Sequence, residues 1–234
     1  MGLRVAALCD VHGNLPALEA TLADVEREAP DVVVFGGDLI WGGWPEETLE
    51  LALSLGDRAR FVRGNTDRSA LTSDEASAVW TRERLSEGQR AVVLAWPTTV
   101  VLDVDGLGPS LFCHATPRND AEIVSPVSAV ERWVEALDGV SEPVVVCGHT
   151  HLRYDGRYAG RRVVNPGSVG NPSEEARAWW ALLGPDVELR ASDYDTAATA
   201  AALRATGFPR LELADELLQP WSRERLLAEL AALG

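Results

Sequence analysis

The sequence predicts a layered mixed α/β domain, and three observations carry that prediction. Strand and helix patterns alternate through the first half of the chain. Hairpin patterns, turning at Gly- and Pro-containing segments, fill the second half. The composition is that of an ordinary globular protein, 46% hydrophobic and 24% charged over 234 residues, enough for one sizeable core. These figures exclude a collagen-like chain, a disordered tail and a disulfide-stapled miniprotein. No linker, repeat or low-complexity stretch is evident, so residues 1–234 read as one domain in which 191–234 form a C-terminal helical appendage.

Taken in order, residues 3–9 form an apolar run of strand length. Asn14 then offers an N-cap and Pro16 a first-turn proline, after which Leu15, Leu18, Leu22 and Val25 fall on one helical face until Pro30. Residues 32–35 are a second buried strand, 45–55 a helix and 60–62 a short strand. Residues 68–85 are expected to be helical, as is the stretch before Pro97. Residues 98–103 and 110–113 pair across a Gly-rich turn, 125–137 read as a helix and 144–147 as a strand. A hairpin turning at Ala159-Gly160 spans 154–164, two further strands occupy 178–183 and 187–190, and the tail is helical over 196–206 and 222–230.

Cys9, Cys113 and Cys147 are odd in number and have no CxxC spacing, so neither a disulfide framework nor a zinc ribbon is expected. Strand alternation turns Cys9 and Cys113 into the core while Asp10 and His114 point elsewhere. The four histidines, His12, His114, His149 and His151, all lie just past a predicted strand. Asp10, Asp38 and Asn65 occupy similar positions, and strand ends on one sheet edge converge in space.

Carboxylate, imidazole and amide oxygen donors together suit Mn, Fe, Zn, Ni or Co better than Ca or Mg alone. The i, i+2 spacing puts Asp10 with His12, and His149 with His151, on one side of an extended segment. Seven such side chains are too many for one tetrahedral ion. They suit two divalent ions sharing one carboxylate at roughly 3.5–4 Å.

In this order the residues resemble the calcineurin-like metallophosphoesterase family, whose pattern is DxH, GD, GNH[DE], a strand-end His and GHxH. Here it reads Asp10-x-His12, Gly37-Asp38, Gly64-Asn65-Thr66-Asp67, His114 and Gly148-His149-x-His151, within a match over residues 3–190. The resemblance implies a four-layer α/β/β/α sandwich. It implies one metal on Asp10, His12, Asp38 and His151, and another on Asp38, Asn65, His114 and His149. It also implies a catalytic centre comprising Asp38, Asn65, His114 and Asp67. Residues 38–47, with Trp41 and Trp44, and the turn Asn165-Pro166-Gly167-Ser168 are similar to the small prokaryotic phosphodiesterase branch. Taken alone, that turn reads as structural.

Thr66 departs from the family, which mostly has His there as a general acid or an orienting group. The branch often lacks that His too. Its members look more like phosphodiesterases than strong phosphomonoesterases.

Net charge is −15, which disfavours duplex nucleic acid and anionic membrane surfaces. The chain has no lysine, which excludes a Walker A loop, a kinase lysine and a Schiff base. No apolar run approaches membrane-spanning length, and residues 1–10 lack the marks of a signal peptide, so a cytoplasmic location is expected. Two divalent ions, less the charge of Asp10, Asp38 and a hydroxide, leave about one positive charge for a phosphate ester.

Arg68 and Arg118 are candidates to hold phosphate oxygens, along with Thr66; a solvated arginine is the alternative. Trp41 and Trp44, flanking Gly42-Gly43, are read as a mobile substrate-stacking loop, with burial against a helix or a homo-oligomer contact as alternatives. The leading expectation is a phosphodiesterase acting on small organic phosphates or nucleotides. A phosphoprotein or dinucleoside-polyphosphate phosphatase and a non-catalytic metal-binding scaffold are the alternatives.

Overall fold

A computed structural model describes residues 2–233. The first sheet holds β1 (Val5–Leu8), β2 (Val32–Phe35) and β3 (Ala59–Phe61), with β9 (Ala178–Leu183) and β10 (Val187–Ser192) completing the order β10-β9-β1-β2-β3. β1, β2 and β3 run parallel, and β9 joins β1 antiparallel with Val5 opposite Leu183. The second sheet runs β4-β5-β6-β8-β7, from β4 (Thr99–Val104), β5 (Gly108–Cys113), β6 (Val144–Val146), β7 (Tyr154–Tyr158) and β8 (Arg161–Asn165). β5, β6 and β8 are mutually parallel.

Strand alternation divides the core into layers. Val5 and Ala7 of β1 face Phe112, Val144 and Val146 in an apolar layer between the sheets. Ala6 and Leu8, pointing the other way, pack under α1 (Leu15–Glu28) and α2 (Pro45–Leu53). Leu111, Cys113 and Val145 on the outer face of the second sheet pack with Trp133 of α6 (Val130–Ala136). Helix, sheet, sheet and helix therefore follow one another, which is the four-layer sandwich. The three cysteines are free and buried.

Most elements lie where their local signals put them. Asn14 caps α1, its side chain accepting from the Ala17 N–H at 3.2 Å. The expected helix over 68–85 is instead two, α3 (Asn65–Thr72) and α4 (Ala76–Glu83), because Ser73 between them is extended and its hydroxyl accepts from the Glu75 N–H. α5 (Glu87–Leu94) precedes Pro97 and carries a Ser86–Gln89 capping box. The helix expected over 125–137 shortens to α6, since Ser125 and Ser128 close a turn on each other ahead of it.

The tail contains α7 (Thr196–Thr206), α9 (Arg223–Leu233) and, between them, the unpredicted α8 (Glu212–Leu218). α7 and α8 share a small core of Leu203, Phe208, Leu213 and Leu217 that receives Trp41, Trp44 and Trp80. α9 packs Leu226, Leu227 and Leu230 on the outer face of the second sheet. Among the described residues no helix is long and apolar enough to cross a membrane.

Candidate metal centre

The parallel strands of both sheets release their loops on one edge. β1 leads to Asp10 and His12, β2 to Asp38, β3 to Asn65, β5 to His114, and β6 to His149 and His151. Five of these residues hold left-handed backbone conformations, with φ of 56° at Asp10, 48° at His12, 55° at Asp38, 65° at His149 and 55° at His151. Each costs a non-glycine residue on the order of 1–3 kcal/mol, so the surrounding bonds must hold it there. They are visible: Asp10 N–H donates to Gly37 O at 3.1 Å, and His12 N–H to Asp38 O at 2.8 Å. Two glycines permit the close packing. A Cβ on Gly64 would collide with the Asp38 carboxylate, and one on Gly148 with that of Asp10.

The side chains form two clusters. Asp10, His12 and His151 offer donor atoms all within 4.8 Å of one another, and so do Asp38, His114 and His149. Asp38 lies between the clusters, its Oδ2 3.3 Å from His114 Nε2 and 3.9 Å from His12 Nε2. Its other oxygen, Oδ1, accepts from the Thr66 N–H at 2.8 Å, at the start of α3. Asn65 Oδ1 is 2.9 Å from His114 Nε2. The His149 N–H donates to both oxygens of Asp10, at 3.1 and 3.0 Å. All seven residues expected as ligands thus converge on one place.

The donor chemistry fits divalent metals. His114 Nδ1 lies 3.0 Å from Gly36 O, a carbonyl that can only accept, so Nδ1 carries the ring proton. The Nε2 lone pair then faces two further acceptors, Asn65 Oδ1 and Asp38 Oδ2, an arrangement that needs a cation at its centre. With a proton in that role, burial works against the charge but the Asp38 and Asp10 carboxylates prevail, and the imidazole is pushed up to about 10. In the other cluster His12 and His151 turn Nε2 atoms toward each other at 3.0 Å. Burial drives His12 down to about 4, which keeps it a neutral ligand.

The calcineurin-like phosphoesterase superfamily domain matches residues 3–186, spanning every one of these ligands. The chain belongs to that superfamily. A metallophosphoesterase from Sphaerobacter thermophilus is 27% identical, with 93% of this chain and 99% of that one superposing at a TM-score of 0.74. A hypothetical protein from Pyrococcus horikoshii OT3, 22% identical, shares the fold at a TM-score of 0.79 over 92% of this chain and 97% of its own. An uncharacterized protein of Methanocaldococcus jannaschii is 23% identical over 197 residues, 73% of this chain and 77% of that protein. The likeness to these three proteins extends over most of their length.

Other expected site residues have different surroundings. Asp67, expected in the catalytic centre, is fully buried, and its two oxygens accept from the backbone N–H groups of Asp38, Leu39, Ile40 and Gly64 at 2.8–3.1 Å. It braces the Asp38 loop and has no oxygen left for substrate. Burial and the nearby Asp38 carboxylate push it up to about 6, against the opposing pull of those N–H donors. Arg68 makes a two-pronged pair with Asp120, and Arg118 another with Glu122, so neither is an uncommitted phosphate clamp. The Thr66 hydroxyl is buried without a hydrogen-bond partner.

Trp41 and Trp44 are each half-buried against neighbouring elements. Trp41 sets its edge against Phe208 at 5.2 Å and against His12 at 5.7 Å, and both tryptophans pack on the α7–α8 core. Trp44 N–H donates to Gly13 O at 2.9 Å, pinning the segment to the His12 loop. The helix-burial alternative is the one the structure adopts. Trp41→Ala is therefore expected to lower stability by about 3 kcal/mol, and to impair nucleotide and small-diester turnover alike. Thermal melting with parallel kinetics on both substrates checks this; loss confined to nucleotides would contradict it.

The Asn165–Ser168 turn also acts through backbone contacts. Asn165 donates to Gly148 O at 2.7 Å, and Ser168 Oγ to Asp10 O at 2.7 Å. Asn14, read only as a helix cap, additionally donates to Gly170 O at 2.8 Å. These bonds tie the first and last site loops together.

Proposed function

We propose that the chain is a dinuclear-metal phosphodiesterase acting on small organic phosphates or nucleotides. The observation that supports this reading best is the pair of three-donor clusters joined through Asp38. The ligands would be Asp10, His12, Asp38 and His151 for one ion, and Asp38, Asn65, His114 and His149 for the other. Two bound divalent ions would lower the pKa of a water between them and draw charge from the phosphate oxygens. The protein's part is to hold Asp38 between the two sets, keep His12 neutral by burial, and fix the loops against the strain of their backbone.

Charge matching supports a diester. The ligand set contributes two carboxylates and otherwise neutral donors, which leaves a loaded centre with modest positive charge. A diester brings one negative charge to it and a monoester about two. Position 66 supports the same reading, because a threonine hydroxyl is a poor proton donor to a departing alkoxide beside an imidazolium.

A phosphatase for dinucleoside polyphosphates or phosphoproteins is the second reading. A cavity of about 290 Å³ beside His114 favours it: Arg63 lines it, together with Arg68 and Arg118, which are held by Asp120 and Glu122. A panel of mono- and diesters with graded leaving groups, assayed on manganese-loaded protein, separates the two. Diesters are expected to turn over faster, with steep dependence on leaving-group pKa. Thr66→His is expected to flatten that dependence and raise turnover of poor leaving groups by roughly 10²-fold. An unchanged slope would remove Thr66 from the account.

A further inference from the structure

We infer that the C-terminal helices α8 and α9 build a pocket for the organic arm of the ester, and that this arm is apolar and carries no negative charge. The inference rests on the phosphoesterase reading of the metal centre and adds the class of substrate. A cavity of about 290 Å³ opens against His149 and His151, one ligand from each cluster. A group seated there is therefore next to a phosphate held at the centre. Its size is at the lower end of the roughly 300–1,000 Å³ of small-molecule pockets, enough for one ring system.

The walls decide the chemistry. Ile123, Trp221, Leu226, Leu230 and Leu233 make most of the surface apolar. The charged side chains on it are Glu216 and Glu229, and among the described lining residues there is no arginine. Glu216 is anchored by the Asn171 amide at 3.3 Å, just past the turn that braces Asp10. A second phosphate or a carboxylate deep in this arm's pocket would meet the like charges of Glu216 and Glu229, with no arginine among the described lining residues to offset them. A second cavity, beside His114, has Arg63, Arg68 and Arg118 in its lining, with Arg68 and Arg118 paired to Asp120 and Glu122, so the arginines of the site lie there and not in the tail pocket. The two cavities thus impose a direction on the substrate, with its apolar arm under the tail helices.

The test uses the full chain loaded with manganese and p-nitrophenyl diesters whose second arm is methyl, phenyl or carboxyphenyl. KM is expected to be roughly tenfold lower for phenyl than for methyl, and to rise again for carboxyphenyl. Leu233→Asp changes an exposed residue near the end of α9, 65% accessible, and should not disturb the fold. It is expected to cut the preference for the phenyl over the methyl ester about tenfold, with the melting temperature unchanged. Glu229→Gln should narrow the gap between phenyl and carboxyphenyl.

Calorimetric binding of diphenyl against dimethyl phosphate provides a readout independent of turnover, with tighter diphenyl binding that Leu233→Asp abolishes. Equal KM values for the three arms, or equal binding of the two phosphates, would overturn the pocket while leaving the phosphoesterase reading standing. Preferred diphenyl binding without turnover of any ester would keep the pocket and overturn the catalytic reading.

Discussion

Replacement of Asp38 by alanine is expected to strip both ions from the protein and reduce phosphoester turnover on the order of 10³-fold or more. Its Oδ2 stands 3.3 Å from a histidine of one cluster and 3.9 Å from a histidine of the other, so one deletion takes a ligand from both. Charge stabilisation by bound metal is worth several kcal/mol, and each 1.4 kcal/mol is a factor of about ten in rate. The loss also loosens the site, because Oδ1 accepts the Thr66 N–H at the start of α3. Stability conferred by metal should vanish as well, about 2.7 kcal/mol for each site held at a hundredfold excess over its Kd. Substitution of a single-cluster ligand, such as His151→Ala, should be milder and spare the second site. Metal analysis, turnover and thermal melting on the two variants check this. An Asp38→Ala protein with full activity would contradict the shared-ligand arrangement.

Asp67→Ala should produce the largest stability loss that is independent of metal. The carboxylate collects four backbone N–H groups, three of them from consecutive residues Asp38, Leu39 and Ile40. Removing it strands these donors in a buried site, where each unsatisfied group costs about 1–3 kcal/mol. Partial relaxation makes a total of about 3–5 kcal/mol reasonable, or a fall in Tm of roughly 6–20 °C for a chain of this size. Asp67→Asn should not rescue, since its amide nitrogen would face donors. Melting curves recorded in chelator test this directly: a normal Tm in metal-free Asp67→Ala would refute the bracing role.

The contrast between these two aspartates shows how far residue pattern carries the reading. Short strands followed at once by Asp, Asn or His were legible because apolar runs ending at polar donors have few other meanings, and parallel strands bring such ends together. The ligand loops could be read for the same reason. Asp67 looked chemical because a carboxylate beside Asn65 is indistinguishable in sequence from one facing substrate. Only the fold reveals that backbone amides have taken its oxygens. Trp41 and Trp44 flank two glycines that permit close packing, Gly42 against the His12 loop and Gly43 against Leu203 of α7.

The tail was the least legible part. α8 is seven residues between prolines, too short for a persuasive helical period, and its buried Leu213, Ala214 and Leu217 pack on α7 and the tryptophans. Nothing in local periodicity says that α9 crosses to the other sheet or that Glu216 and Trp221 stand near the metal ligands. Periodicity identifies an apolar face; it does not name the surface that covers it. Arg68 and Arg118 illustrate the same gap, as their acidic partners lie 52 and 4 residues away and only the folded chain shows that both are engaged.

Electron paramagnetic resonance of the protein titrated with Mn(II) tests the central claim most directly. Two ions sharing the Asp38 carboxylate at roughly 3.5–4 Å must be magnetically coupled. The account predicts saturation at two ions per chain with a broadened, exchange-coupled spectrum that Asp38→Ala abolishes. Saturation at one ion, or two ions giving only the six-line signal of isolated Mn(II), would contradict a dinuclear centre built on Asp38.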